Sequence, residues 1–202
     1  MEEYIADVPF KNNGKSARFF NDRMEFNEQI IRYDEIETLV TSGGQTTIHT
    51  YIGIPVGRSF NGGFQFKMNS GKTHKIIMNS MAIFGIPVIK NPRKNEKLYL
   101  PLFDAVYSIV AKNAAQKYID MIRGGATVEV AGLTINSSEA TSKAKASKKV
   151  AVINKENYRE CQLTNGYGVS AYDKPGEILW SSSVWSSKNT LLIPYILDAI
   201  FG

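Results

Sequence analysis

Between residue 17 and about residue 90, the chain alternates apolar and polar positions with a period of two, and turn residues interrupt the pattern at short intervals. Such alternation predicts strands with one buried face, because successive side chains on a strand point to opposite sides. Phe64 and Phe66 share one predicted face, and the "NSGK" that follows predicts a tight turn in which Gly71 adopts a positive φ. The "SGG" at 42–44 is interpreted as another turn. We therefore expect an antiparallel meander over about 17–90.

The pattern changes period near residue 98. From residue 103 to residue 121 the apolar positions recur at spacings of three and four, and polar residues occupy the opposing stripe. This spacing predicts an amphipathic helix over about 99–123. Pro101 is compatible with the first turn of such a helix, and the double glycine at 124–125 predicts its end.

The second half repeats the order of strands followed by a helix. Short alternating segments between about 127 and 185 predict strands, and "DKPG" places proline and glycine as a type II turn requires. The terminal "TLLIPYILDAIF" predicts a helix over about 190–201, with its proline in the first turn.

The two predicted helices begin with similar sequences. An ungapped alignment of residues 94–107 with 188–201 shows five identities, namely Lys94 with Lys188, Asn95 with Asn189, Leu98 with Leu192, Asp104 with Asp198 and Ala105 with Ala199. The common order of strands and helix suggests a duplication, with extra strands or loops in the first copy. A chance similarity over fourteen residues is the alternative.

Composition narrows the class of protein. The chain has 202 residues, of which 43% are hydrophobic, so it has enough apolar side chain for a core. Its net charge of +5 predicts a weak attraction to anionic partners. The single cysteine, Cys161, excludes an intramolecular disulfide and a zinc site with several cysteines. The first residues lack a secretory pattern, and the apolar runs are too short for a transmembrane segment, so we expect a cytoplasmic location.

The residues that usually carry catalysis are scarce. His49 and His74 are the two histidines, and nothing in their spacing predicts a metal site. Cys161 is interpreted as a small core residue rather than a nucleophile. The chain contains no phosphate-binding loop, dinucleotide-binding glycine pattern or nucleophile elbow. The sequence therefore predicts no catalytic residue, no metal site and no cofactor.

A run of antiparallel strands followed by an amphipathic helix resembles the pleckstrin-homology-like (PH-like) fold. From "VEVAGLTIN" through "EILWSSSVW" to "NTLLIPYILDAIF", the second half is similar to uncharacterised bacterial proteins with PH-like domains. The resemblance implies an α+β, mainly β chain with two PH-like units, 1–123 and 126–202. Each unit would be a bent antiparallel sheet or a partly open barrel capped by its C-terminal helix. It also implies a binding scaffold rather than an enzyme.

The resemblance points to one candidate ligand site. Eukaryotic PH-like relatives often bind phosphoinositides through basic residues in the loop after the first strand. The corresponding segment here is 136–149, and the expected ligands of an anionic headgroup are Lys143, Lys145, Lys148 and Lys149. Since the segment is rich in serine and alanine and lacks arginine, a solvated connection is the competing interpretation.

Two functional hypotheses follow. The first is a non-enzymatic binding or assembly module that acts through a protein partner, through self-association or through peripheral contact with an anionic membrane at its inner face. The second is a nucleic-acid-binding protein that uses a basic sheet face, with aromatic residues such as Trp180 and Trp185 available to stack on bases.

Overall fold

The computed structural model describes residues 3–10, 15–50, 52–83, 86–89, 92–142, 150–164, 168–185 and 187–202. Within these residues the strands form four antiparallel sheets, and none of the sheets closes on itself. Helices follow the strands in each half of the chain. The prediction of a mainly β, α+β fold is confirmed at this level.

The first half contains two of the sheets, and both are meanders in which consecutive strands pair. The first sheet consists of β1 (Ala6–Phe10), β2 (Lys15–Phe19), β3 (Arg23–Phe26) and β4 (Gln29–Arg32). The second consists of β5 (Ile36–His49), β6 (Pro55–Met68), β7 (Thr73–Ile83) and β8 (Ile86–Ile89). The predicted strand region of about 17–90 is correct in type but begins too late, because β1 and β2 precede residue 17 or begin before it.

The predicted turn at "SGG" is wrong, because β5 continues through it and Gly43 pairs with Gly62 on β6. The reason is the aromatic ring of Tyr99, which packs against this part of the hairpin. A Cβ atom on Gly43 would lie 2.6 Å from the Tyr99 hydroxyl oxygen, which donates a 3.0 Å hydrogen bond to the Ser42 carbonyl. Gly43 therefore leaves space for the Tyr99 side chain and does not form a turn. The turn at Gly71 is confirmed, with a φ of 84°.

One long helical segment follows the second sheet. It consists of α1 (Pro92–Ala105), a π-helical stretch (Val106–Ala111) and α2 (Lys112–Arg123). The predicted start near residue 99 is wrong, so Pro101 lies inside α1 rather than in its first turn. An interior proline costs a helix roughly 3 kcal/mol. Leu102 and Val106 are fully buried. Burial of each of these side chains stabilises the fold by roughly 1.5 to 3 kcal/mol, which offsets the cost of the proline.

The helix ends at Arg123, as predicted. Gly125 has a φ of 90°, and its N–H donates to the Ile122 carbonyl at 3.0 Å. The N–H of Ala126 donates to the Met121 carbonyl at 2.9 Å. This is a Schellman motif, which uses a left-handed glycine to bond the last carbonyls of a helix.

The second half has the same order of elements with shorter strands. Its first sheet consists of β9 (Val128–Val130), β10 (Leu133–Ile135), β11 (Glu139–Ser142) and β12 (Val152–Asn154). Its second consists of β13 (Tyr158–Thr164), β14 (Gly168–Asp173) and β15 (Ile178–Ser183). A 3₁₀ turn (Thr190–Leu192) leads into α3 (Ile193–Phe201) at the predicted place. The turn at "DKPG" is in the predicted place, and Gly176 has a φ of 99°. Its type differs from the prediction, because the Gly176 N–H donates to the Asp173 carbonyl at 3.0 Å, so Gly176 is the fourth residue of the turn and not the third, as type II requires.

The hydrophobic core is continuous across the two halves. α2 packs against α3, and the Tyr195 hydroxyl donates to the Tyr107 carbonyl at 3.1 Å. The aligned helix starts also bury equivalent positions, namely Tyr99 with Ile193, Leu102 with Ile196, Phe103 with Leu197 and Val106 with Ile200. The unit boundary at 124–125 therefore stays a prediction, because the two halves meet in a shared core.

Candidate binding cleft at the junction of the two halves

A cleft of about 740 Å³ lies beside β15. Five consecutive residues of that strand, 178–182, form one of its walls. The remaining lining residues come from the second half, at Glu129, Ala131, Gly132, Ser142, Ala151, Ser187, Lys188 and Asn189, and from the first half, at Thr38. The cleft therefore depends on both halves of the chain.

β15 is an edge strand. Among the described strands its single neighbour is β14, with Ala171 opposite Trp180 and Val169 opposite Ser182. The strand is only partly covered, and Ile178 is 60% exposed. An edge strand presents alternate N–H and C=O groups that can pair with another extended chain. Residues 178–182 of this strand line the cleft.

Asn189 fixes one end of the cleft to the first half. Its backbone N–H donates to the Leu39 carbonyl at 2.8 Å, and its side-chain Oδ1 accepts from the Leu39 N–H at 2.7 Å. Its Nδ2 also donates to the Glu37 carbonyl at 3.1 Å. Asn189 has a φ of 60°, a left-handed conformation that asparagine tolerates better than most residues. One residue thus bonds the edge of β5 much as a neighbouring strand would.

A second contact extends this junction. The Thr41 hydroxyl donates to the Val184 carbonyl at 2.6 Å, and Thr41 is 2% exposed. The Ser182 hydroxyl donates a hydrogen bond to the Ser187 hydroxyl at 3.1 Å. This bond places the segment 187–189 beside the C-terminal end of β15. The position of Lys188 in the cleft follows from these bonds.

Three lysines act on the carboxylate of Glu37, whose neighbour Thr38 lines the cleft. The Lys67 ammonium lies 2.8 Å from a Glu37 carboxylate oxygen, and its hydrogen bond holds the pKa of Glu37 below the usual range. Lys117 and Lys188 lower that pKa further through their charges. Burial lowers the pKa of Lys117, whose ammonium donates to the Ile36 carbonyl. Three lysines therefore interact electrostatically with the Glu37 carboxylate.

The predicted headgroup ligands Lys143, Lys145, Lys148 and Lys149 lie outside the described residues. The residues that flank this segment are described. The Ser142 N–H donates to the Ala151 carbonyl at 3.0 Å, and the Ala151 N–H donates to the Ser142 hydroxyl at 2.9 Å. Both of these flanking residues line the cleft. The headgroup site itself stays a prediction.

The histidines and the cysteine lie in different settings. His74 is 4% exposed and hydrogen-bonds Gln29 Oε1 through Nδ1 at 2.7 Å, and burial lowers its pKa. His49 is exposed at the end of β5, where Nδ1 lies 3.0 Å from the Gly53 carbonyl oxygen. Cys161 is buried, and burial followed by the charge of Asp198 raises the pKa of its thiol. A raised pKa disfavours the nucleophilic thiolate. Within the described residues, no three His, Cys, Asp or Glu side chains are grouped for metal binding.

The aromatic residues of the second half are largely engaged in packing. Tyr158 is 4% exposed and its hydroxyl donates to Asp198. Trp185 packs beside Gly43 of β5, and Trp180 is half-buried on the wall of the cleft. The role of Asn189 could not be predicted from the sequence. Lys188-Asn189 precedes the terminal helix, whereas the aligned Lys94-Asn95 lies within α1, so the repeat does not indicate which backbone groups the Asn189 side chain bonds.

Comparison with known proteins adds no further constraint. No family model matches the chain, and no curated protein or solved structure matches it either. Of the helices in the described ranges, none has the length and apolar character that a membrane crossing requires. The functional argument therefore depends on the cleft and on the edge strand that borders it.

Proposed function

We propose that the chain is a non-enzymatic binding module, built as two PH-like units in tandem, that holds a protein partner in the cleft beside β15. The observation that carries this proposal is the edge strand itself. Residues 178–182 line the cleft, and β14 is the one described neighbour of their strand. Protein partners commonly bind by adding an extended segment to such an edge.

The order of elements supports the tandem arrangement. In each half, antiparallel sheets are followed by a helix whose apolar face is buried. The aligned buried positions of α1 and α3 agree with a duplication. Both features are what the PH-like resemblance implies.

The chemistry of the cleft favours binding over catalysis. Among the described residues, its ionisable lining residues are Glu129 and Lys188, and the others contribute hydroxyl, amide, indole and apolar groups. Neither histidine nor cysteine lines it. Such a set can hydrogen-bond and pair charges, which is what recognition of a polypeptide requires.

The proposal is tested by filling the cleft. Ser181 is exposed on the wall of the cleft, so Ser181→Trp places a large side chain in the binding space. The matched control is Lys155→Trp, at an exposed position outside the cleft. Each chain is immobilised, exposed to nuclease-treated extract of the cells that produce it, and the retained proteins are quantified by mass spectrometry.

We expect at least one protein to be retained by the wild type and the control, and to fall at least tenfold with Ser181→Trp. Identical retained sets for all three chains would contradict the proposal. In a separate measurement without nuclease, binding of added DNA or RNA that falls steeply with rising salt would instead support the nucleic-acid hypothesis.

A further inference from the structure

We infer that one end of the second sheet is a membrane-docking surface, where three exposed isoleucines enter the surface of an anionic lipid bilayer. These residues are Ile52, Ile54 and Ile86, and together they are called the isoleucine tip. None of them lines the cleft, so the test of this surface is independent of the proposed function. The register of the sheet, the hydrogen bonds of one turn and the charge along the sequence support the assignment.

The register of the sheet brings the three isoleucines to the same end. The β5–β6 turn, of which residues 50 and 52–54 are described, joins the first two strands at this end. β7 returns to the same end, where Ile83 lies opposite Gly57 of β6 and opposite Ile86 of β8. Adjacent strands are about 4.8 Å apart, so Ile86 lies roughly 10 Å across the sheet from β6. Two neighbouring connections therefore present the isoleucine tip.

The isoleucine tip is apolar and lies away from the core. Ile52 is 62% exposed, Ile54 is 54% exposed and Ile86 is 68% exposed. On β6, the nearest described buried residue is Phe60, five positions from the start of the strand at Pro55. Each strand residue advances about 3.3 Å, so the sheet continues roughly 17 Å beyond that buried residue. Exposed aliphatic clusters of this kind mark interaction sites.

The backbone of the β5–β6 turn satisfies its own hydrogen bonds. The Gly53 N–H donates to the Thr50 carbonyl at 2.9 Å, and the Thr50 N–H donates to the Ile54 carbonyl at 2.8 Å. The Ile54 N–H donates to the Thr50 hydroxyl at 3.1 Å, and His49 Nδ1 lies 3.0 Å from the Gly53 carbonyl oxygen. Because lipid supplies no hydrogen bonds, backbone that enters it must be bonded internally. Thr50, Gly53 and Ile54 meet this requirement at both their N–H and their C=O groups.

The charge on this sheet and its connections is exclusively basic. Between Glu37 and Glu96 the sequence contains no Asp or Glu and seven Lys or Arg residues. The seven are Arg58, Lys67, Lys72, Lys75, Lys90, Arg93 and Lys94. One of them, Lys67, is paired with Glu37 at 2.8 Å. Since the net charge of the whole chain is +5, this stretch accounts for all of its positive excess.

The neighbouring elements do not cancel this charge. α1 packs against β6 and β7, and its five charged residues are Glu96, Asp104, Arg93, Lys94 and Lys97. α1 also packs against β1, whose one carboxylate, Asp7, has Arg18 opposite it on β2. The helix therefore adds a further positive charge, and the acidic group of β1 faces a basic partner.

An anionic bilayer matches both properties of this end of the sheet. Aliphatic side chains enter the boundary of the acyl chains, while basic residues attract the anionic headgroups. A nucleic acid would use the charge but not the isoleucines, which offer no ring for a base to stack on. A specific protein interface buries about 800 Å² on each partner, and three side chains at the end of a sheet offer less than that.

Vesicle sedimentation of the full chain tests the inference. Vesicles of phosphatidylglycerol and phosphatidylcholine are compared with vesicles of phosphatidylcholine alone, and we expect at least fivefold stronger partition to the anionic ones. The double variant Ile52→Ser, Ile54→Ser should lower that partition at least tenfold, and Ile86→Ser should lower it less. The matched control is Ile77→Ser, on β7 of the same sheet and 65% exposed, which should leave it unchanged. Equal partition of the wild type and the double variant would overturn the inference.

A polarity-sensitive dye tests insertion directly. The dye is attached to Ile54→Cys or to Ile77→Cys, and labelling of the wild type measures the background from Cys161, which is buried. We expect the emission to shift to shorter wavelength with anionic vesicles at position 54 and not at position 77. No shift at position 54, or equal shifts at both positions, would overturn the isoleucine tip. This measurement decides the question even if the serine variants fail to fold in urea denaturation.

Three further measurements separate the alternatives. The serine variants are repeated in a chain whose lysines in 136–149 are replaced by alanine, and the loss of partition should persist there. Sedimentation velocity without vesicles should give the same oligomeric state for the wild type and the double variant. A change from dimer to monomer would assign the isoleucine tip to a second copy and overturn the inference. Loss of duplex DNA binding in the double variant would overturn it in favour of a nucleic acid.

Discussion

Two edge strands of this molecule carry the same backbone chemistry and have different surroundings. At Leu39 the edge of β5 is covered, because Asn189 bonds both its N–H and its carbonyl. At residues 178–182 the edge of β15 borders a cleft of about 740 Å³. The comparison shows that the role of a strand edge depends on the rest of the chain. An edge that another segment bonds contributes to stability, and an edge that is left open is available for binding.

The contacts at the covered edge of β5 also position part of the cleft beside β15. Asn189 follows Lys188 directly, and both line the cleft. The bonds that secure the second half to β5 therefore hold the basic residue at its place beside β15. Changes to the covered edge should affect the stability of the whole chain, whereas changes to the open edge should affect binding.

The largest expected effect is that of Asn189→Ala. It removes three side-chain hydrogen bonds, leaves the Leu39 N–H without its acceptor, and places alanine at a φ of 60°. An unsatisfied buried donor costs about 1 to 3 kcal/mol and left-handed backbone about 1 to 2, so we expect a loss of roughly 2 to 5 kcal/mol. Urea denaturation measures it.

Two further variants separate the causes. Asn189→Gly relieves the backbone strain but keeps the side-chain loss, and Asn189→Asp keeps the acceptor for Leu39. We expect both to be less destabilising than alanine. If all three variants unfold like the wild type, β5 does not depend on this cover.

The next effect concerns the packing behind the covered edge. A Cβ at Gly43 would lie 2.6 Å from the Tyr99 hydroxyl oxygen and 3.0 Å from Cζ, so Gly43→Ala should destabilise by about 1 to 3 kcal/mol through overpacking. Tyr99→Phe removes the nearer atom, so the alanine should cost less in that background. The double-mutant cycle is measured by urea denaturation, and strict additivity would show that the contact is not the cause.

A smaller effect is expected from the lysine-rich segment 136–149. Polybasic residues near an anionic membrane contribute about 1 kcal/mol each, so replacing Lys143, Lys145, Lys148 and Lys149 with alanine should reduce co-sedimentation with phosphatidylserine vesicles several-fold. Equal sedimentation of the two chains would remove the headgroup site from consideration.

The smallest effect tests a buried polar side chain on β7, His74. Burial lowers the pKa of His74 below its ordinary value of 6.5, so the unfolded chain binds more protons as pH falls below that value. The free energy of unfolding should therefore decrease from pH 7 towards pH 5. His74→Gln should flatten this slope in pH-dependent urea denaturation, and exposed His49→Gln serves as the control. A slope unchanged by His74→Gln would assign the pH dependence to other groups.

Local patterns predicted much of the fold. The alternation of Phe64 and Phe66, the turn at Gly71 and the end of the helix at Arg123 depend on neighbours in the chain, and the structure agrees with all of them. The errors at Gly43 and Pro101 have a common cause. Each residue has an unfavourable local preference that distant packing outweighs, by the ring of Tyr99 in one place and by the buried face of α1 in the other.

The candidate site was less accessible to prediction. The polar "SSS" of β15 and the Lys-Asn before α3 are both legible in the sequence, but nothing in their spacing indicates that they meet. Their meeting depends on the hydroxyl contact between Ser182 and Ser187 and on the bonds of Asn189 to a residue 150 positions earlier.

By itself, the sequence determined that the chain is mainly β, that helices close two runs of strands, and where most turns lie. Those properties follow from periodicity and from backbone preferences of single residues. Only the tertiary structure decided that β5 is covered, that β15 borders a cleft, and that three lysines gather around Glu37. The physical reason is that a strand edge exposes the same N–H and C=O groups whatever its side chains are, so its role depends on long-range contacts that bring another part of the chain to it or leave it open.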